Sequence, residues 1–140
     1  MFLPYQVWIN ENPNLDSYKN NIRISDIDSF IQNYRTGDYM LLEWKCRNAI
    51  VKFPQTEILQ TLHNALKASG DKRYCGFGII RLSGETPADG EIHLSGELIL
   101  NDTAYTPDKV ITESELTKLL QLNWRNTPKQ MLFCELSQMP

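Results

Sequence analysis

Cysteine and histidine are too scarce in this chain for the sites that announce themselves through those residues. The three cysteines, Cys46, Cys75 and Cys134, are widely spaced and odd in number. This fits buried thiols in a reducing, cytoplasmic compartment better than a bridged secreted framework. Neither they nor the two histidines, His63 and His93, stand two to four residues from another of their kind, so no metal site is expected. Long hydrophobic runs are missing too. The longest run of large apolar residues is four, Tyr39 to Leu42, and Met1-Phe2-Leu3-Pro4-Tyr5 has no basic residues leading into an apolar stretch. No membrane span and no signal peptide are expected. A net charge of only −3 argues against a protein that coats nucleic acid or anionic lipid. Gly76-Phe77-Gly78 lacks the third glycine and the lysine of a phosphate loop. There is no serine-hydrolase elbow or zinc-protease helix either, so no cofactor is implied.

What is present is ordinary globular material. With 140 residues, 41% hydrophobic and 22% charged, residues 1–140 are expected to form a single globular domain. Folding should remove roughly two-thirds of the unfolded surface from water, enough for stability without a metal or crosslink.

The periodicities predict an α+β fold, a mostly antiparallel sheet of about five to six strands with about three helices. Tyr5, Val7 and Ile9 alternate as a strand, and Asn10 to Asn21 carries turn chemistry. Ser25 with Asp28 resembles a capping box. With Ile27, Phe30, Ile31 and Tyr34 at helical spacing and Gly37 after them, it predicts a helix from about Asp26 to Thr36. Asp38 to Phe53 is read as a buried strand, a turn at Cys46-Arg47-Asn48-Ala49 and a second strand, Ile50 to Phe53. A helix then opens at Pro54 with the stripe Ile58, Leu59, Leu62, Ala65, Leu66 and closes at Gly70. Tyr74 to Leu82 and Glu91 to Leu100 predict a hairpin across a loop of turn formers. Thr112 with Glu115 is a full capping box, Ile111 and Leu116 occupy staple positions, and that helix should end near Asn123. Gln130 to Leu136 is read as a last strand.

Charge is unevenly spread. Residues 42–82 carry a local net of +4, whereas residues 83–115 carry −7, with Glu85, Asp89, Glu91, Glu97, Asp102, Asp108, Glu113 and Glu115 against Lys109 alone. If these pieces meet, they form a negative surface for a basic partner. Acids also serve helix starts and solubility, and charge excess alone is weak evidence of a site, so a solvated surface is the reading to be displaced. Trp124, in Asn123-Trp124-Arg125-Asn126-Thr127-Pro128, is a candidate aromatic anchor beside the acids, or a side chain packed on its own core. The candidate partner-binding residues are therefore Glu85, Asp89, Glu91, Glu97, Asp102 and Trp124.

Catalysis has thinner support. Cys75 would need His63 or His93 as base, and its flanking glycines equally suit a bulge. Glu91 and His93 share a strand face at a spacing that suits acid–base work or a surface ion pair. These three residues define the alternative, a small enzyme or ligand-binding protein. Lys45, Arg47, Lys52, Lys72, Arg73 and Arg81, interleaved with Trp44, Phe53 and Tyr74, are read as solvated charges over core aromatics, not as a nucleic-acid surface.

With Val7-Trp8-Ile9-Asn10 near its start, the Ser25-capped helix and the acidic hairpin around Glu85 to Glu97, the acidic α+β chain resembles the small bacterial immunity proteins of contact-dependent inhibition and related polymorphic toxin systems. The resemblance implies a non-catalytic protein that binds one cognate toxin domain, often a nuclease, and occludes its active or substrate-binding surface.

Overall fold

The apolar and glycine-bearing segments in the middle of the chain pair into one sheet. In the computed structural model, which describes residues 8, 11–12, 29–49, 53–126 and 132, the strands are β1 (Ser29–Gln32), β2 (Tyr39–Lys45), β3 (Tyr74–Leu82), β4 (Ile92–Leu100), β5 (Thr103–Tyr105) and β6 (Lys109–Ile111). Two helices, α1 (Phe53–Ser69) and α2 (Glu113–Leu120), complete the described elements. The sheet order is β1-β2-β3-β4-β5, with β6 also pairing β4. Only β2 and β3 run parallel, because α1 carries the chain back between them; every other pair is antiparallel. The class is α+β with a six-stranded, mostly antiparallel sheet.

Both faces of the sheet are covered, and the strand sequences show why. Met40 and Leu42 of β2, Ile80 and Leu82 of β3, and Leu94, Leu98 and Leu100 of β4 point to one side, where Leu116 and Leu119 of α2, Leu122, Trp124 and Leu132 complete a core. Leu41, Tyr74 and Phe77 point to the other side, beneath Leu59 of α1 and the partly buried Leu62 and Leu66. Burying side chains of this size stabilises by roughly 1.5–3 kcal/mol each, which explains why the alternating sets survive as strands.

The start of α2 follows its sequence signal closely. Thr112 Oγ1 accepts from the Glu115 N–H at 3.0 Å, Glu115 Oε1 accepts from the Thr112 N–H at 2.9 Å, and Ile111 and Leu116 are both buried. The helix ends at Leu120, short of Asn123, and Leu122 takes a left-handed φ of 58°.

Three expectations are corrected. The helix expected over Asp26 to Thr36 gives way to β1 and a tight turn. Asn33 Oδ1 accepts from the N–H groups of Arg35 and Thr36, the Asn33 N–H donates to Asp38 O, and Gly37 supplies φ +80°. The glycine marked a left-handed residue, but pairing with β2 outweighed a four-residue helical stripe in which Phe30 and Tyr34 end up exposed. Asp26 and the Ser25–Asp28 box lie outside the described residues. Trp8 is helical and 63% exposed, against the strand read over Tyr5 to Ile9, whose other residues lie outside the description. Phe53 opens α1 instead of closing a strand; Ile50 to Lys52 are outside the description, as is all of Gln130 to Leu136 except Leu132, which is helical and buried. The described chain thus has two helices of more than one residue, where about three were expected.

Candidate functional site

The β3–β4 loop is built by its own acid. Asp89 Oδ1 accepts from the Thr86 N–H at 2.8 Å and from Thr86 Oγ1 at 3.0 Å, and these bonds hold its carboxyl below the usual range. Glu85 is exposed and pairs with Arg47 of the neighbouring turn. Glu91 is exposed, and its N–H donates to Ser83 Oγ at 2.8 Å. The pairing of Ile92 with Ile111 brings the start of α2, with Glu113 and Glu115, to the same end of the sheet.

Beside this acidic end, His93 is fixed in one tautomer. Arg81 Nη2 lies 3.0 Å from Nδ1. A guanidinium only donates, so Nδ1 accepts and Nε2–H donates to Asp108 Oδ1 at 2.6 Å. Asn48, Arg81, Ser83, Glu91 and His93 line a pocket of about 110 Å³.

The other acids lie elsewhere. Asp102 sits past the far end of β4, 3.4 Å from Lys72, a separation of about 25–30 Å from Glu91 at the rise of a nine-residue strand. Glu97 faces α1 from mid-strand. Its Oε1 accepts from Lys67 Nζ at 2.8 Å and from His63 Nε2 at 2.8 Å. Those bonds, His63 first, hold the Glu97 carboxyl below its ordinary range. His63 is 0% exposed; its Nδ1 is 2.6 Å from the Tyr74 hydroxyl and its ring meets the Phe77 edge at 4.8 Å. His63 thus bridges the Glu97 carboxylate through Nε2 and the Tyr74 hydroxyl through Nδ1.

A β-bulge makes this cluster possible. Tyr39 pairs with Tyr74 but Leu41 pairs with Phe77, so Cys75 and Gly76 together oppose Met40. In a regular strand Tyr74 and Phe77 would face opposite sides; the extra residue puts both on the α1 face, where His63 touches each. Gly76 has φ +103°, and a Cβ there would meet Glu97 O and come within 2.9 Å of Leu98 Cα.

Sequence reading treated His63 only as a possible base for Cys75 and missed Lys67 and Tyr74 as its companions. A histidine inside the apolar stripe Leu59, Leu62, Leu66, four residues before a lysine, is the signal that was available.

The cluster does not activate a nucleophile. Burial, then the neighbouring Tyr39 and Glu97, pushes the Tyr74 phenol up. Burial, with the hydrogen bond to Asp71, raises Tyr39 to about 12. Cys75 is 1% exposed and its thiol is raised to about 12, chiefly by burial. It lies on the opposite face from His93 and about 20 Å along the hairpin from it by register. The proposed grouping of Cys75 with Glu91 and His93 is therefore corrected: Glu91 and His93 adjoin, and Cys75 does not.

Trp124 is corrected as a surface anchor for the same kind of reason. It is 1% exposed and its Nε1–H donates to Leu119 O at 2.7 Å, so the ring closes the core.

Below the end of α1, a cavity of about 430 Å³ is lined by Lys67, Asp71, Lys72, Tyr74, Asp102 and Arg125, among others. Its cations are committed: Lys67 to Glu97, Lys72 to Asp102, and Arg125 to the buried Asp38 at 3.0 Å. Among the described residues no three His, Cys, Asp or Glu side chains converge to hold a metal, and no helix is long and apolar enough to cross a membrane. Comparison of the chain with protein-family models, with curated proteins and with solved structures finds no match.

Proposed function

We propose that the chain is a protein-binding inhibitor, an immunity protein of the toxin-neutralising kind, which presents the acidic end of its sheet to a basic surface of a cognate toxin domain. The observation that carries this reading is the gathering of Glu85, Asp89 and Glu91 with Glu113 and Glu115 at one end of the sheet by the β3–β4 hairpin and the β4–β6 register. Glu85, Asp89, Glu91 and Glu113 are exposed, and exposed carboxylates in one place speed encounter with a basic partner and stand in for the phosphates a nuclease would bind. Occlusion needs no catalytic residue. Glu97 and Asp102 are not part of this surface, since Glu97 faces α1 from mid-strand and Asp102 lies past the far end of β4. The setting for such a pair is bacterial and cytoplasmic.

The test is a pull-down with the tagged chain from its native cells, washed in parallel at low and high salt, and repeated with Glu85→Lys/Glu91→Lys. A single basic protein retained in near-stoichiometric amount, released more readily at high salt and lost to the double variant, is the expected result. A partner held equally by wild type and variant, or no partner at either salt, would refute the acidic-end reading.

A further inference from the structure

The opposite end of the sheet carries a second feature, independent of the acidic one. β1 is the outermost strand, and among the described residues only β2 pairs with it. The Asn33 N–H to Asp38 O bond that closes the hairpin fixes the antiparallel alternation. Ser29 and Ile31 therefore direct their backbone groups to β2, while the N–H and C=O groups of Phe30 and Gln32 point outward. Strand edges are usually guarded by a lysine, a proline or an inward charge. Ser29-Phe30-Ile31-Gln32 has none of these.

The side chains beside this edge are those that anchor interfaces. Phe30 is 57% exposed and Tyr34 100% exposed. The Phe30 ring is already stacked on Tyr39 at 5.3 Å, so covering it requires little new ordering. Charge at this end is positive. Arg35 adjoins Tyr34 and has no carboxylate within ion-pair distance among the described residues. The Arg73 side chain lies over Gly37 in the same turn. Of the nearby acids, Asp38 is paired with Arg125, and Asp71, which accepts from the Tyr39 hydroxyl and the Arg73 N–H, keeps its charge and faces the Arg73 cation, which leaves Arg35 as the uncompensated charge.

We propose that the β1 edge is a docking surface for an extended acidic segment of a partner protein, which adds as a further strand, covers Phe30 and Tyr34 and places a carboxylate at Arg35. Main-chain bonds to Phe30 and Gln32 would supply part of the affinity, and Arg35 the choice of partner.

The test is a random-peptide phage selection against the full-length chain, with the enriched peptides then titrated by fluorescence anisotropy. Two variants read the two halves of the proposal. Gln32→Pro removes an outward N–H and leaves the bonds to β2 in place. Arg35→Glu reverses the exposed charge. Enriched peptides should carry carboxylates within an alternating apolar pattern, and each variant, shown by circular dichroism to be folded, should lose about tenfold or more in affinity, as expected for lost main-chain or charge-assisted bonds. Glu85→Lys/Glu91→Lys should bind these peptides as wild type does. No enrichment, basic or uncharged consensus peptides, or binding indifferent to both variants would overturn the proposal. So would a dimer seen by sedimentation and abolished by Gln32→Pro, since a second copy would then be the occupant.

Discussion

Replacing Gly76 with alanine tests whether the bulge in β3 is what assembles the buried cluster. Two costs add at this position. A residue with a Cβ at φ +103° is strained by about 1–3 kcal/mol. The Cβ would also overlap Glu97 O and approach Leu98 Cα to 2.9 Å, both backbone atoms of β4. Relieving that overlap means parting β3 from β4 locally, with loss of one or two ladder bonds at about 0.5–1.5 kcal/mol each. The two together come to about 1.5–6 kcal/mol, centred near 4. Gly70→Ala is the matched control, because Gly70 has φ +74° but nothing within 4 Å of an added Cβ; strain alone should cost about 1–2 kcal/mol there. Urea denaturation followed by circular dichroism gives both values from the midpoint shift at constant slope. For a domain of this size about 3–4 °C of melting temperature accompanies each kcal/mol, so Gly76→Ala should melt roughly 10 °C or more below wild type and Gly70→Ala a few degrees below. The His63 ring nitrogens, observed by NMR, should also change environment in Gly76→Ala alone, since removing the bulge turns Tyr74 away from α1. Equal destabilisation by the two alanines, with His63 unaltered, would refute the account.

Other expectations follow from the same contacts. Glu97 has a lowered carboxyl pKa, so its pairing with His63 and Lys67 stabilises the fold above its ordinary value of 4.5 and is lost as pH falls through the lower folded value; the stability difference between wild type and Glu97→Gln should shrink across that acid limb, and a pH-independent difference would count against it. Trp124→Ala should cost about 3–5 kcal/mol as a cavity in the core, measured by denaturation; normal stability with weakened partner binding would restore Trp124 as a surface anchor. Cys46 is exposed and Cys75 buried with its thiol raised to about 12, so peptide mapping after brief alkylation of the native protein should find Cys46 modified and Cys75 intact until denaturant is added.

Local signals were decisive where a residue's role is settled by its own neighbours in sequence. The Thr112–Glu115 box, the stripe of α1 ending at Gly70, and the β3–β4 hairpin all belong to this group. The segment before Gly37 shows the limit. Ile27, Phe30, Ile31 and Tyr34 fit a helix as a pattern, yet only pairing with Met40 to Leu42 decides the outcome, and that partner is invisible in a window of ten residues. The glycines around Phe77 were equally open between a substrate approach and a bulge; the register difference across β2 and β3 resolves them, and that register is a property of two strands.

The same reasoning explains why the acidic block was only partly legible as a site. Eight acids in residues 83–115 give a net charge, but strand alternation and hairpin direction decide where each one points. Glu91, just before β4, and Glu97, within it, are six residues apart; the first stays exposed beside the loop, and the second reaches α1, where His63 and Lys67 take it. Asp102 leaves by the far end of β4 toward Lys72. A charge count treats these carboxylates as equivalent, whereas the fold divides them into an exposed group at the β3–β4 end and an inner one that fastens a helix to the sheet. Reversing Glu91 should therefore act on association with a partner, and altering Glu97 on stability, two effects that the sequence alone assigns to one patch.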